Sequence, residues 1–248
     1  MSGDTVQHLD RGDGIKLAYR LRPGRTPTIV FLPGYASDMD GAKALALDAF
    51  ARERGQAMLR FDYAGTGLSD GTFDHGTLAG WIDDALLLID RLTAGPLILA
   101  GSSMGGWIAL HVALRRPDRV AALCGIAAAP DFTEWGYSEA DKQLLAVNDR
   151  LEQPNPYDGD PQVTTRGFWE SGQALQLLGG PIEIGCPVRL VHGERDADVP
   201  VDIALRLMHQ LRSGDVQLTL VKDGGHRLSE PNEIAAILRT VAALLEIA

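Results

Sequence analysis

Along this chain, short apolar runs alternate with longer stretches whose apolar residues recur at helical spacing. The runs are Thr28 to Leu32, Ala57 to Phe61, Leu97 to Ala100, Val120 to Ile126, Val188 to Val191 and Val216 to Val221. They read as the buried strands of a mostly parallel sheet. Gly41 to Arg54, Leu78 to Leu92, Gly106 to Arg115 and Val201 to Arg212 carry the helical period between them. Repeated strand and helix predict an α/β fold with a twisted sheet and helices on both faces. Residues 5–9 and 14–20, separated by Arg11-Gly12-Asp13-Gly14, predict an antiparallel hairpin ahead of this alternation, because an Asp-Gly pair supports reversal.

The rhythm breaks between about residues 130 and 185, where Pro154, Pro156, Pro161 and several glycines interrupt two shorter helical patterns, Glu139 to Leu151 and Trp169 to Leu178. A cap inserted into a single domain spanning residues 1–248 accounts for this better than a second domain. Its aromatics, Phe132, Trp135, Tyr137, Tyr157, Phe168 and Trp169, suit either the packing of the cap onto the body or the lining of an acyl pocket.

Composition narrows the function. A net charge of −10 over 248 residues argues against a nucleic-acid partner, which needs clustered Lys and Arg to neutralise phosphates. Cys124 and Cys186 sit in apolar surroundings and read as reduced thiols; no Cys or His spacing suggests a metal, and no cofactor is required. No run is long and apolar enough to span a membrane. The first residues have neither the apolar core of a signal peptide nor the Arg-rich pattern of a transit segment, so a cytoplasmic location is expected.

The chemistry enters at Gly101-Ser102-Ser103-Met104-Gly105, which joins the apolar run Leu97 to Ala100 directly to a helical pattern. A serine nucleophile needs such a turn: glycines on either side let strand and helix approach while the hydroxyl stands clear of the sheet. Ser103 is the motif centre, and Ser102 lies one residue short of it. A serine hydroxyl needs a histidine to take its proton and a carboxylate to orient that histidine. Asp196 follows the run ending at Val191, and His226 follows the run ending at Val221, in the chain order Ser, Asp, His that this fold uses. Asp198 and Glu194 lie close enough to compete with Asp196. His192, at a strand end, is expected to support structure, and His8, His75, His111 and His209 are given no chemical role. Backbone N–H groups of Met104 and Tyr35 are the expected oxyanion donors; in Pro33-Gly34-Tyr35 the proline has no N–H, but Tyr35 has. Tyr35 could also be a purely structural aromatic, and Asp62 is expected to organise a loop.

With these residues placed, the chain resembles the α/β-hydrolase superfamily over essentially its full length. More narrowly, Phe31 to Leu47, Leu59 to Gly71, Gly101 to Trp107 and Cys186 to Gly193 resemble the mitochondrial palmitoyl-protein thioesterases, which also act as acyl-glucuronide esterases. The resemblance implies a serine hydrolase of fatty-acyl thioesters on protein cysteines and of activated esters, with Ser103, Asp196 and His226 as triad. It weakens through the cap and at the start of the chain, and on that ground the organellar address is not carried over. Other chemistry on the same scaffold, peptidase or perhydrolase, and a non-catalytic binding module remain as alternatives.

Overall fold

The computed structural model describes residues 5–154 and 161–248. The leading hairpin is β1 (Gln7–Asp10) paired antiparallel with β2 (Lys16–Arg22). After β3 (Arg25–Leu32) come α1 (Ala42–Arg54), β4 (Gln56–Phe61), α2 (Leu78–Leu92), β5 (Leu97–Ser102), α3 (Met104–Arg115) and β6 (Val120–Ile126). Between β6 and the next strand of the main sheet lie α4 (Phe132–Trp135), α5 (Glu139–Val147), β7 (Arg150–Gln153), β8 (Gln162–Thr165) and α6 (Arg166–Ala174). The body resumes with β9 (Val188–Gly193), α7 (Val201–Gln210), β10 (Val216–Val221) and α8 (Pro231–Leu245).

Eight strands form one sheet in the order β1-β2-β4-β3-β5-β6-β9-β10, parallel from β4 onward. This is the α/β-hydrolase fold. Side chains alternate across it, as the two-residue period of a strand requires. Val30 and Leu32 of β3, with Leu97 and Leu99 of β5, join the core under α2, α3 and α7. Ile29, Phe31, Ile98 and Ala100 face α1 and α8 on the opposite side. Because β3, β5, β9 and β10 run parallel, the loops after them emerge at one sheet edge, where Tyr35, Ser103, Asp196 and His226 all lie. Among the described residues no helix is long and apolar enough to cross a membrane.

The structure departs from the sequence reading in several places. β10 is an edge strand paired only with β9, and half of its residues are exposed, so it is not the buried strand its apolar residues suggest. The pattern at Glu139 to Leu151 stops as a helix at Val147, where Asn148 turns extended; Arg150–Gln153 then alternate in exposure and pair with β8. The second cap helix starts earlier than its periodicity suggests, because the Thr165 hydroxyl accepts the Phe168 N–H at 3.2 Å and caps it. A further helix, α8, follows β10; Pro231 opens it and Glu230 and Glu233 form its capping box. Tyr157 and Pro156 lie outside the described residues.

Candidate active site

Ser103 stands between β5 and α3 with φ +54° and ψ −120°, a conformation that costs a non-glycine residue about 1–3 kcal/mol. The surrounding packing enforces it. A Cβ on Gly101 would lie 2.3 Å from the Gly105 carbonyl oxygen, and one on Gly105 would lie 2.0 Å from that of Leu32. The Ser103 N–H donates to Ile126 O at 2.9 Å, anchoring the turn to β6. Ser102 stays in β5, buried and in register with Ile126.

The loops after β9 and β10 pack tightly together: a Cβ on Gly193 would meet Gly224 O at 2.4 Å, and Arg195 N–H donates to that oxygen at 2.8 Å. Asp196 and His226 thereby come within 2.9 Å, Oδ2 to Nδ1. The other Asp196 oxygen, Oδ1, accepts the N–H groups of Asp198 at 3.0 Å and Val199 at 2.8 Å. Burial pushes the Asp196 carboxyl up, but the hydrogen bond and charge of His226, helped by the Val199 amide, outweigh it and leave the group below the usual carboxylate range. An ionised carboxylate only accepts, so His226 Nδ1 carries the proton and Nε2 is free to accept. His226 Nε2 lies 3.1 Å from Ser103 Oγ, and the serine hydroxyl donates to it.

The competing carboxylates are placed elsewhere. Glu194 is exposed and accepts the Asp223 N–H at 3.1 Å, while Asp198 contributes its backbone to Asp196. His192 supports the site as well as the fold. Its Nε2–H donates to Val199 O at 2.9 Å and lies 3.4 Å from Asp196 Oδ2, a proximity set by a loop closure that spacing alone does not display. His111 is buried against Leu175 O, and His8, His75 and His209 are exposed. Asp62 accepts the N–H groups of Met39 at 2.7 Å and Leu68 at 2.8 Å, holding the loops after β3 and β4 together. Both cysteines are free, and burial raises the Cys124 thiol to about 12.

Ser103 and His226 open into a cleft of about 990 Å³. Met104 opens α3, so its N–H is among those a helix's own ladder leaves over, while Gly34 brings the loop after β3 against the serine. The aromatic residues between β6 and β9 divide. Phe132, Trp135 and Tyr137 line the cleft; Phe168 is buried, and the Trp169 indole donates to Thr133 O at 3.1 Å. Among the described residues no cluster of His, Cys, Asp and Glu could hold a metal ion.

Comparison with known proteins bears on this geometry. Human palmitoyl-protein thioesterase ABHD10, mitochondrial, is 37% identical over 246 residues, covering 98% of this chain and 80% of the relative. The chain belongs to the α/β-hydrolase superfamily. A family model described as serine aminopeptidase, S33, matches residues 25–152 of this hydrolase. The solved mouse alpha/beta hydrolase domain-containing protein 10 superposes with a TM-score of 0.91 at 36% identity, covering 98% of each chain. A solved structure from Agrobacterium vitis S4, described only as a hydrolase, gives 0.91 at 37% identity over 98% of this chain and 99% of its own. The protein is an enzyme, a serine hydrolase of the ester and thioester class. The cytoplasmic location expected from sequence is overturned: the curated relatives matched over 98% of this chain are mitochondrial proteins. The composition of the first residues, on which that expectation rested, does not fix an address.

Proposed function

We propose that this hydrolase releases fatty acids from acyl thioesters, including S-acylated protein cysteines, and from activated esters, through an acyl-enzyme on Ser103. The observation that carries the reading is the unbroken relay from Asp196 through His226 to Ser103, with contacts of 2.9 and 3.1 Å, ending at a cleft walled by aromatic residues of the cap. His226 Nε2 takes the hydroxyl proton as Ser103 Oγ bonds to the acyl carbon, and the carbonyl electrons move to oxygen. The N–H groups of Tyr35 and Met104 hold that oxyanion. As the tetrahedral carbon collapses, the carbon–sulfur or carbon–oxygen bond breaks, and imidazolium returns the proton to the departing atom. Water, deprotonated by the same imidazole, then cleaves the Ser103 ester and frees the acid. Asp196 keeps the imidazole in the required tautomer throughout. Phe132, Trp135 and Tyr137 supply an apolar wall for the acyl chain, consistent with relatives named as palmitoyl-protein thioesterases.

A fluorophosphonate probe read by intact mass tests the mechanism. Wild type should gain one adduct and Ser103→Ala none; an unlabelled wild type at neutral pH defeats it. Acyl thioesters and p-nitrophenyl esters of graded length test the substrate. Activity that falls steadily beyond butyrate would remove the long-acyl assignment and leave a short-chain esterase, and cleavage of aminoacyl amides in preference to both would favour the peptidase reading.

A further inference from the structure

The loop after β3 holds Tyr35 between Gly34 and Ala36, whose φ is +51°. Gly34 is pressed against the elbow: a Cβ there would lie 3.3 Å from Ser103 Cβ and 3.2 Å from Ser102 O. The backbone of this loop and that of the nucleophile therefore move against each other with little slack. The Tyr35 side chain reaches into the cap instead. Its hydroxyl donates to Val163 O of β8 at 2.7 Å, across 128 residues of sequence. Its ring meets Phe73 and Trp81 of the body and Phe132 and Phe168 of the insert, with centroids 4.7 to 5.9 Å apart. Burial pushes the phenol upward, so it stays a donor through the neutral range.

The partner of this contact is slight. β7 and β8 have four residues each and pair only with one another, and an isolated two-stranded ribbon is marginal without external support. Among the described residues the ribbon is also tied by the Tyr137 hydroxyl to Thr164 Oγ1 at 2.7 Å, by the Thr165 hydroxyl to the Phe168 N–H, and by Arg150 of β7 to Asp74 at 3.3 Å. Val163, Tyr137 and Phe132 also line the catalytic cleft, so an acyl chain long enough to reach the hairpin presses on the group that Tyr35 grips.

We propose that the Tyr35 side chain is a positioning residue, a strut joining the oxyanion loop to the β7–β8 hairpin, through which a long acyl chain aligns the Tyr35 N–H. The inference rests on the reading of that N–H as an oxyanion donor. Contact made far from the reacting carbonyl then appears in the turnover rate as well as in binding, because it is realised in the transition state.

Tyr35→Phe deletes one oxygen and leaves ring and backbone in place. Turnover of p-nitrophenyl dodecanoate should fall about five- to tenfold, the worth of one neutral hydrogen bond, with KM unchanged within about twofold. The ratio of p-nitrophenyl dodecanoate to p-nitrophenyl acetate turnover should fall with it, because acetate is too short to reach the hairpin and any loss through the oxyanion N–H itself is common to both esters. Equal losses on both esters, or a change confined to KM, would overturn the strut. A small fluorophosphonate, applied to wild type and variant, separates this failure from that of the mechanism. An unlabelled wild type sinks the serine reading itself, whereas equal labelling of both with an unchanged chain-length profile sinks only the strut.

Discussion

Replacing Asp196 by asparagine changes one atom, and the structure dictates how the new amide must sit. Oδ1 accepts two backbone N–H groups, from Asp198 at 3.0 Å and Val199 at 2.8 Å, while Oδ2 faces His226 at 2.9 Å and His192 at 3.4 Å. An amide with its oxygen at the Oδ1 position keeps both backbone bonds. Turned over, it sets NH2 against two N–H donors, losing both bonds and leaving those donors unpaired. At about 1 kcal/mol for each bond, and more for buried unpaired groups, the first orientation is favoured by about 2–4 kcal/mol. NH2 then occupies the Oδ2 position and donates to His226 Nδ1, which forces the proton to Nε2. The imidazole presents an N–H to Ser103 Oγ and can no longer take its proton. Turnover at pH 7.5 should fall by about four powers of ten, as when a triad histidine is held in the wrong tautomer. Because the loop bonds survive, unfolding free energy should change by less than about 1 kcal/mol. The assay pairs p-nitrophenyl butyrate hydrolysis with urea denaturation of the same sample. A folded Asp196→Asn protein retaining a tenth of wild-type turnover would refute the orienting role. Turnover lost together with several kcal/mol of stability would show loop collapse instead.

Two further outcomes follow from packing and burial. Burial, opposed by the hydrogen bond to Leu175 O and assisted by the charge of Arg115, lowers His111 from 6.5 to about 4. The unfolded chain therefore takes up this proton first as pH falls: the contribution is level above 6.5, is lost between 6.5 and 4, and amounts to about 3 kcal/mol. His111→Gln, which keeps a donor for Leu175, should flatten that part of the urea-derived stability curve; a slope identical to wild type would count against it. Gly105→Ala should cost about 3 kcal/mol or more, since its Cβ would fall 2.0 Å from Leu32 O and 2.5 Å from Pro33 O, both backbone atoms. Denaturation within about 1 kcal/mol of wild type would remove close approach as the reason for that glycine.

The elements that position the proposed triad are readable because each carries a local signal. Leu97 to Ala100 is wholly apolar, the glycines around Ser103 mark the turn, and Asp196 and His226 follow apolar runs. What escaped depends on partners that only the folded chain brings together, whether far along the sequence or across a closed loop. Nothing near Tyr35 announces that its hydroxyl meets Val163, and nothing near His192 announces that a loop folds Asp196 back beside it. The β7–β8 ribbon was hidden because Glu139 to Leu151 carries helical spacing past the point where Asn148 ends the helix. β10 looked buried because its apolar content reports sheet membership, whereas its exposure follows from its place in the strand order. Helix α8 did have signals, in Glu230, Pro231 and Glu233 and in apolar residues such as Ile237, Val241 and Leu244.

The relay from His226 to Ser103 spans 123 residues, and β6, the cap, β9 and β10 are all synthesised between them. A chain emerging from the ribosome therefore displays its serine long before any base can activate it. On the proposed mechanism Ser103 stays an ordinary alcohol until β10 docks on β9 at the edge of the sheet. In the proposed mechanism hydrolytic activity therefore reports completed assembly, because His226 reaches Ser103 only through a strand that docks last on the sheet.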